Sequence, residues 1–165
     1  LLDFIRAMGD AHRAIDEEDP FMAAAPSTSW IIRDCRPEEV AAVLILWRQA
    51  EVTPDASETI EDLTRAIVDS PAIVLVAEAE GRLIGSIIGS FDGWRGNIYR
   101  LAVHPDFRRY GIARALVAEI EQRLAKQGAK RMIAPVEGDH PWAMGFWQAA
   151  HYTVLPNLVR FVRDL

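Results

Sequence analysis

The stretch with the clearest chemical potential runs Val103-His-Pro-Asp-Phe-Arg108-Arg109-Tyr110-Gly111-Ile112-Ala113, between a β-prone segment and a long helical pattern. A helix start presents amide N–H groups that have no intrahelical partner, together with the positive end of the helix dipole, so it attracts anions. Gly111 and the small Ala113 let main chain approach a phosphate closely, and Arg108, Arg109 and Arg114 add positive charge. The chemistry on offer is diphosphate binding. Arg108-x-x-Gly111-x-Ala113 carries only three loose constraints, however, so the pattern needs the surrounding elements to support it.

A second group of residues could move protons. His140, as an imidazole, could take a proton from an ammonium group, or it could be a solvated residue beside Pro141 at a helix start. Glu51, Glu78, Glu137 and Asp139 are candidate bases, although acidic residues are mostly solvated surface groups. Asn97 and Tyr99 can order water, and deprotonation through such a water wire is the preferred reading over any single base. Five tryptophans, Trp30, Trp47, Trp94, Trp142 and Trp147, could wall a pocket for a cationic group. Trp47 is equally suited to core packing, whereas Trp94 stands in a turn between glycines. The lone Cys35 excludes an internal disulfide, and no Cys/His cluster with metal-ligand spacing accompanies it.

These residues need elements to position them. Trp30 to Asp34 is a short strand; Pro37-Glu38-Glu39 then opens a helix whose apolar positions 40, 43, 44 and 47 form one face. Thr53-Pro54-Asp55 breaks it, and Ser57 can cap a second helix reaching Asp69. The period then changes: Ile73 to Ala77, Leu83 to Gly89 and Ile98 to Val103 are strand-like, joined by Glu80-Gly81-Arg82 and Asp92-Gly93-Trp94-Arg95-Gly96, which implies three successive antiparallel strands. Ile112 to Gln127 has apolar residues 112, 116, 117, 120 and 124 on one face, with Gly128 at its C-terminal end. Lys130 to Val136 resumes β character, Pro141 to Ala150 is a short helix, and Tyr152–Val154 with Leu158–Val162 supply a final strand pair. The order is βααβββαβαββ, an α+β chain with a mixed, mostly antiparallel sheet of about six to seven strands and flanking helices. The helix between Ile98 and Val136 makes a right-handed crossover between parallel strands.

One hundred and sixty-five residues, half of them apolar, suit one domain with a real core. Residues 1–29, with a weak Leu2, Ile5, Met8 stripe, are expected to form a peripheral N-terminal extension, and 30–165 the domain. The net charge of −6 argues against a general nucleic-acid binder and favours a cationic substrate. No apolar run approaches a bilayer span, and a reducing cytoplasm is the simplest home for a single cysteine.

Leu101-Ala102-Val103-His104-Pro105 followed by Arg108-x-x-Gly111-x-Ala113 resembles the acyl-CoA signature of the GNAT superfamily of N-acetyltransferases, small bacterial single-domain members in particular, and the element order over residues 30 to 155 is similar to that fold. The resemblance implies acetyl-CoA as co-substrate, no metal, and direct transfer to a primary amine of a small molecule or peptide in a ternary complex. It implies that main-chain groups of Leu101 and Val103 hold the pantetheine arm, and that an N–H at Leu101 or Ala102 faces the thioester oxygen. The loop from Arg108 through Arg109, Tyr110, Gly111 and Ile112 to Ala113 would hold the diphosphate. Trp47, Glu51 and Trp94 fall on segments that flank the acceptor in that family. His140-x-x-Ala143-x-x-x-Trp147 resembles a further family pattern that contacts the cofactor, but Trp147 replaces a Tyr that protonates the leaving thiolate, and Pro135 stands where some members carry a glutamate base. Water can supply that proton. These departures leave a second reading open, a catalytically degenerate acyl-CoA-binding or sensor module. Leu158 to Val162 could serve a homodimer.

Overall fold

The computed structural model describes residues 29–55 and 58–163. The readings of the N-terminal segment and of Ser57 lie outside the described residues.

Five strands form one sheet in sequence order: β1 (Ile31–Asp34), β2 (Ile73–Ala79), β3 (Arg82–Phe91), β4 (Gly96–Val103) and β5 (Met132–Ile133). The first three pairings are antiparallel and β4 with β5 is parallel, as the crossover requires. Helices α1 (Val40–Gln49) and α2 (Ile60–Val68) follow β1, α3 (Ile112–Lys126) joins β4 to β5, and α4 (Pro141–Ala149) follows β5. The α2 N-cap is Thr59, whose side-chain oxygen accepts from the Asp62 amide, so the sequence signal two residues earlier marked the helix without locating its start.

Each face of the sheet carries a core. Ile112, Leu116, Val117, Ile120 and Leu124 of α3 pack on Leu75, Ala77, Ile84, Ile87 and Ile98. Val40, Val43, Leu44 and Trp47 of α1, with Leu63 of α2, cover Val74, Val76 and Ala102. Ile112, Leu116, Ile120 and Leu124 are each at most 1 % exposed, and burial of such a side chain contributes about 1.5–3 kcal/mol. Glycine lets α3 lie close: a Cβ at Gly89 would stand 2.5 and 2.8 Å from Ile120 side-chain atoms.

Ile98 belongs to the α3 core and Ala102 to the α1 core, although four residues of regular strand would put both on one face. A β-bulge resolves this: Ile88 pairs with Tyr99 and Ser86 with Ala102, so Arg100 and Leu101 together oppose Ile87. Arg100 takes the left-handed conformation there, with φ 53°.

The expected last strand pair is absent among the described residues; the chain after α4 forms no strand, and the sheet has five strands rather than six or seven. β propensity predicted pairing, but these residues join neither the open side of β4 nor the outer edge of β1. β5 is two residues long, and Pro135 just beyond it lacks a ladder donor. Leu158, Val159, Phe161 and Val162 consequently stand 73–91 % exposed.

Candidate functional site

The long helix begins as its sequence demands. Gly111 is the N-cap of α3 at φ 77°, and the first bond of the helix runs from the Ala115 amide to the Gly111 carbonyl. The amides of Ile112, Ala113 and Arg114 therefore lack intrahelical acceptors. Arg109 is also left-handed, at φ 69°, and a backbone reversal of this kind points neighbouring amides at an anion. Arg109 and Arg114 are exposed beside the loop. Between α3 and the end of α4 runs a groove of about 220 Å³ lined by Arg114, Ala118, Glu121 and Ala149 to His151, a feature that no local sequence pattern announces.

The strand leading into this loop has an open edge. β4 pairs with β5 only at Gly96–Met132 and Asn97–Ile133; from Ile98 onward that side has no strand beside it. The His104 amide donates to the Ile84 carbonyl at 2.8 Å, which fixes the phase of the β3–β4 ladder. By alternation Ala102 turns its peptide groups to β3, while Leu101 and Val103 turn theirs to the open edge. The bulge thus exposes two residues of main chain a short step before the α3 amides.

Arg100 holds the bulge from its other side. Its guanidinium donates to the Thr53 carbonyl at 2.8 Å, pairs with Glu58 at 2.8 Å and Asp55 at 3.4 Å, and lies 5.6 Å over the Trp47 ring. A non-glycine residue in this conformation costs roughly 1 kcal/mol or more, so the strain is sustained by these contacts. Arg100 also brings the α1–α2 loop against β4. There Thr53 donates its hydroxyl to Glu137 at 2.6 Å, and Glu137 lies 3.2 Å from His140 Nε2. Glu51, exposed at the end of α1 with φ 59°, belongs to the same loop. Glu137, Asp139 and His140 are the one group among the described residues whose ligand atoms all lie within 4.8 Å of one another; the two carboxylates are exposed.

Several expected site residues serve other ends. Arg108 turns away from the anion loop: its guanidinium donates to the Ala50 carbonyl at 3.1 Å and, weakly, to that of Val103 at 3.4 Å, and stacks 5.4 Å from Trp142. It ties α1 to β4, leaving its main chain to the loop. Trp47 is 3 % exposed and its indole N–H donates to the buried Ser86 hydroxyl at 2.9 Å, so it is core and not a pocket wall. Asn97 donates to Asp92 at 3.3 Å and so braces the turn before β4. Trp94, in that turn, lies at the far end of β4 from Val103, roughly 20 Å of strand away. It lines a cleft with Arg95, Lys130 and Arg131 and not the open edge. Tyr99 remains exposed on the α1 side of β4.

Ala143 and Trp147 lie on α4. The Trp147 ring meets Phe146 at 5.4 Å and Tyr152 at 4.7 Å, both edge-on, as a packing residue does. Tyr152, the nearest phenol, donates to Glu121 at 2.6 Å. Burial, reinforced by that carboxylate, pushes its hydroxyl well above the ordinary tyrosine range, so it holds its proton. Cys35 is buried and its thiol is pushed up to about 11 by burial, which suits a small hydrophobe and not a nucleophile.

A mixed sheet whose fourth strand stands open past Asn97, followed by a helix start with unsatisfied amides, offers the main-chain donors and acceptors that an amide-bearing anionic ligand needs. Residues 12–152 match the acetyltransferase (GNAT) family, and the chain belongs to that family. An acetyltransferase of Pectobacterium atrosepticum is 35 % identical over 121 residues, covering 73 % of this chain and 86 % of that protein. One of Sodalis glossinidius is 34 % identical over 128 residues, covering 78 % and 90 %. Among solved structures, an N-acetyltransferase of Thermoplasma acidophilum in complex with coenzyme A superposes with a TM-score of 0.67 at 19 % identity, covering 74 % of this chain and 88 % of its own. The aminoglycoside N-acetyltransferase AAC(6')-Iy, in complex with CoA, gives 0.70 at 16 % identity, covering 87 % and 100 %. At these identities the superpositions speak for the fold. This chain is an acetyl-CoA-dependent N-acetyltransferase of that family.

Proposed function

We propose that the protein carries an acetyl group from acetyl-CoA directly to a primary amine of a small molecule or peptide, with both bound together. The observation that supports this most is the open edge of β4 leading, through a turn at Pro105–Phe107, into the left-handed Gly111 at the start of α3. The residues fit the co-substrate: Leu101 and Val103 would pair with the amide-bearing pantetheine arm as an added strand. The amides from Arg109 through Tyr110, Gly111 and Ile112 to Ala113 would hold the diphosphate, with charge from Arg109 and Arg114. The groove between α3 and α4 would take the nucleotide end. When bound, the thioester supplies an activated acyl carbon and a thiolate leaving group, whose conjugate thiol has a pKa of about 8.5. Of the two amides expected there, that of Leu101 would stabilise negative charge on the acyl oxygen, since Ala102 turns its own to β3.

The amine must shed a proton before it attacks. His140, backed by Glu137 and through it by Thr53, is our choice of base, with the carboxylate orienting the imidazole. The exposed Tyr99 and Glu51 would flank the arriving amine. Trp147 has no acidic proton to give and Tyr152 retains its own, so the departing sulfur is protonated by water. A reducing cytoplasm suits the buried thiol of Cys35, and the exposed Leu158 to Val162 would pair with a second copy of the chain.

The test is release of coenzyme A in the presence of polyamines, aminoglycosides, free amino acids and N-terminal peptides. Thiol release that saturates with one of these amines is expected. Tight coenzyme binding with no amine acetylated would favour the sensor reading instead.

A further inference from the structure

At the end of β4 away from the cofactor edge, the turn Asp92–Arg95 and the α3–β5 connection enclose a cleft of about 510 Å³. Gly93, Trp94, Arg95, Gly128, Lys130 and Arg131 line it. The chain carries 24 acidic against 18 basic residues, yet no carboxylate lines this cleft and its three cations make no ion pair among the described residues. Asp92, the nearest acid, is occupied: its carboxylate accepts the Trp94 and Arg95 amides at 2.8 and 2.6 Å and the Asn97 side chain at 3.3 Å. Those amides hold it below the usual carboxylate range, and they fix the turn.

Arg95 and Trp94 carry the chemical information. The guanidinium sits 4.4 Å over the indole, while Trp94 is still 73 % exposed, so a second ring face is available. The Nε of Arg95 is buried and has no acceptor among the described residues, so stacking on Trp94 and not a hydrogen bond at that atom holds the guanidinium beside the cleft. A Cβ at Gly93 would meet nothing within 4 Å and one at Gly128 only the Phe91 ring, at 3.8 Å and beyond, so the floor has room for a ligand. The volume falls in the range of small-molecule sites.

We infer that this cleft binds a small anion that carries a flat ring, of the nucleoside monophosphate class. The phosphate meets Arg95, Lys130 and Arg131, and the base stacks on the free face of Trp94. The site is separate from the diphosphate loop of α3, and it joins the two segments whose Gly96 amide to Arg131 carbonyl bond, at 2.9 Å, starts the β4–β5 pairing.

The test is tryptophan fluorescence titrated with AMP, adenosine and inorganic phosphate separately, with coenzyme A saturating so that the α3 loop is filled. Saturable quenching by AMP is expected, lost in Trp94→Phe and weakened at least about tenfold in Arg131→Glu, with adenosine and phosphate alone both much weaker. Arg131→Glu should keep coenzyme affinity, since only the Arg131 carbonyl serves the sheet; that separates this site from the transferase reading. Absence of saturable quenching to roughly 10 mM AMP would overturn the inference. So would quenching unchanged in both variants, or phosphate binding as tightly as AMP.

Discussion

The two ends of β4 differ in one physical respect. At Gly96 and Asn97 the strand has neighbours on both sides, and the turn before it is held by Asp92. At Leu101 and Val103, past the bulge, it has β3 on one side and no strand among the described residues on the other, where Arg108 reaches the Val103 carbonyl only weakly, at 3.4 Å. The closed end spends its backbone hydrogen bonds on the fold; the open end leaves them for a ligand. The same contrast separates two glycines, since Gly89 lacks a side chain to admit Ile120 and Gly111 lacks one to let the chain reverse at φ 77°.

Substituting those glycines should break the comparison most sharply. Gly111→Val forces a β-branched residue into the left-handed region at the anion loop, and loss of two charge-assisted bonds predicts coenzyme affinity down about 10³-fold by calorimetry. His140→Ala should leave that affinity intact and lower kcat about 10²-fold, with the pH dependence of kcat altered, in steady-state assays. Arg100→Gly keeps a residue content with the bulge but frees the α1–α2 loop. It should raise KM for the amine about tenfold while coenzyme binding changes little, which separates bulge from anchor. Gly89→Val should act oppositely to Gly111→Val: about 1–3 kcal/mol less stable by thermal melting, with coenzyme affinity kept in the folded fraction.

The smallest effect lies farthest from the cleft. Arg33 donates two bonds to Glu39, at 2.8 and 2.6 Å, and holds its carboxyl at about 2, below the ordinary 4.5. The folded value is the depressed one. The pair's contribution is therefore complete above pH 4.5 and lost as pH falls toward 2. Arg33→Met should cost about 1 kcal/mol in urea melts at pH 7, and the difference from the parent should narrow across that window.

The turn into α3 was legible because its demands fall on residue types: a glycine for the left-handed cap, small residues beside it, an apolar stripe behind. The bulge was not, because Arg100 contradicts the preference that would reveal it; only contacts from Thr53, Asp55, Glu58 and Trp47, distant in sequence, make it tenable. Trp47 and Trp94 show the same limit. Both are tryptophans, yet one is inside the core and one on the surface, a distinction set by Ser86 and by the turn at Asp92. Leu158 to Val162 has strand chemistry, but pairing needs an edge, and the two-residue β5 offers almost none.

Amide hydrogen exchange at single-residue resolution, with and without coenzyme A, tests the open edge most directly. The Leu101 and Val103 amides should exchange quickly alone and become protected on binding, while Gly96, already bonded to Arg131, changes little. Saturable coenzyme binding that leaves Leu101 and Val103 unprotected would contradict the account.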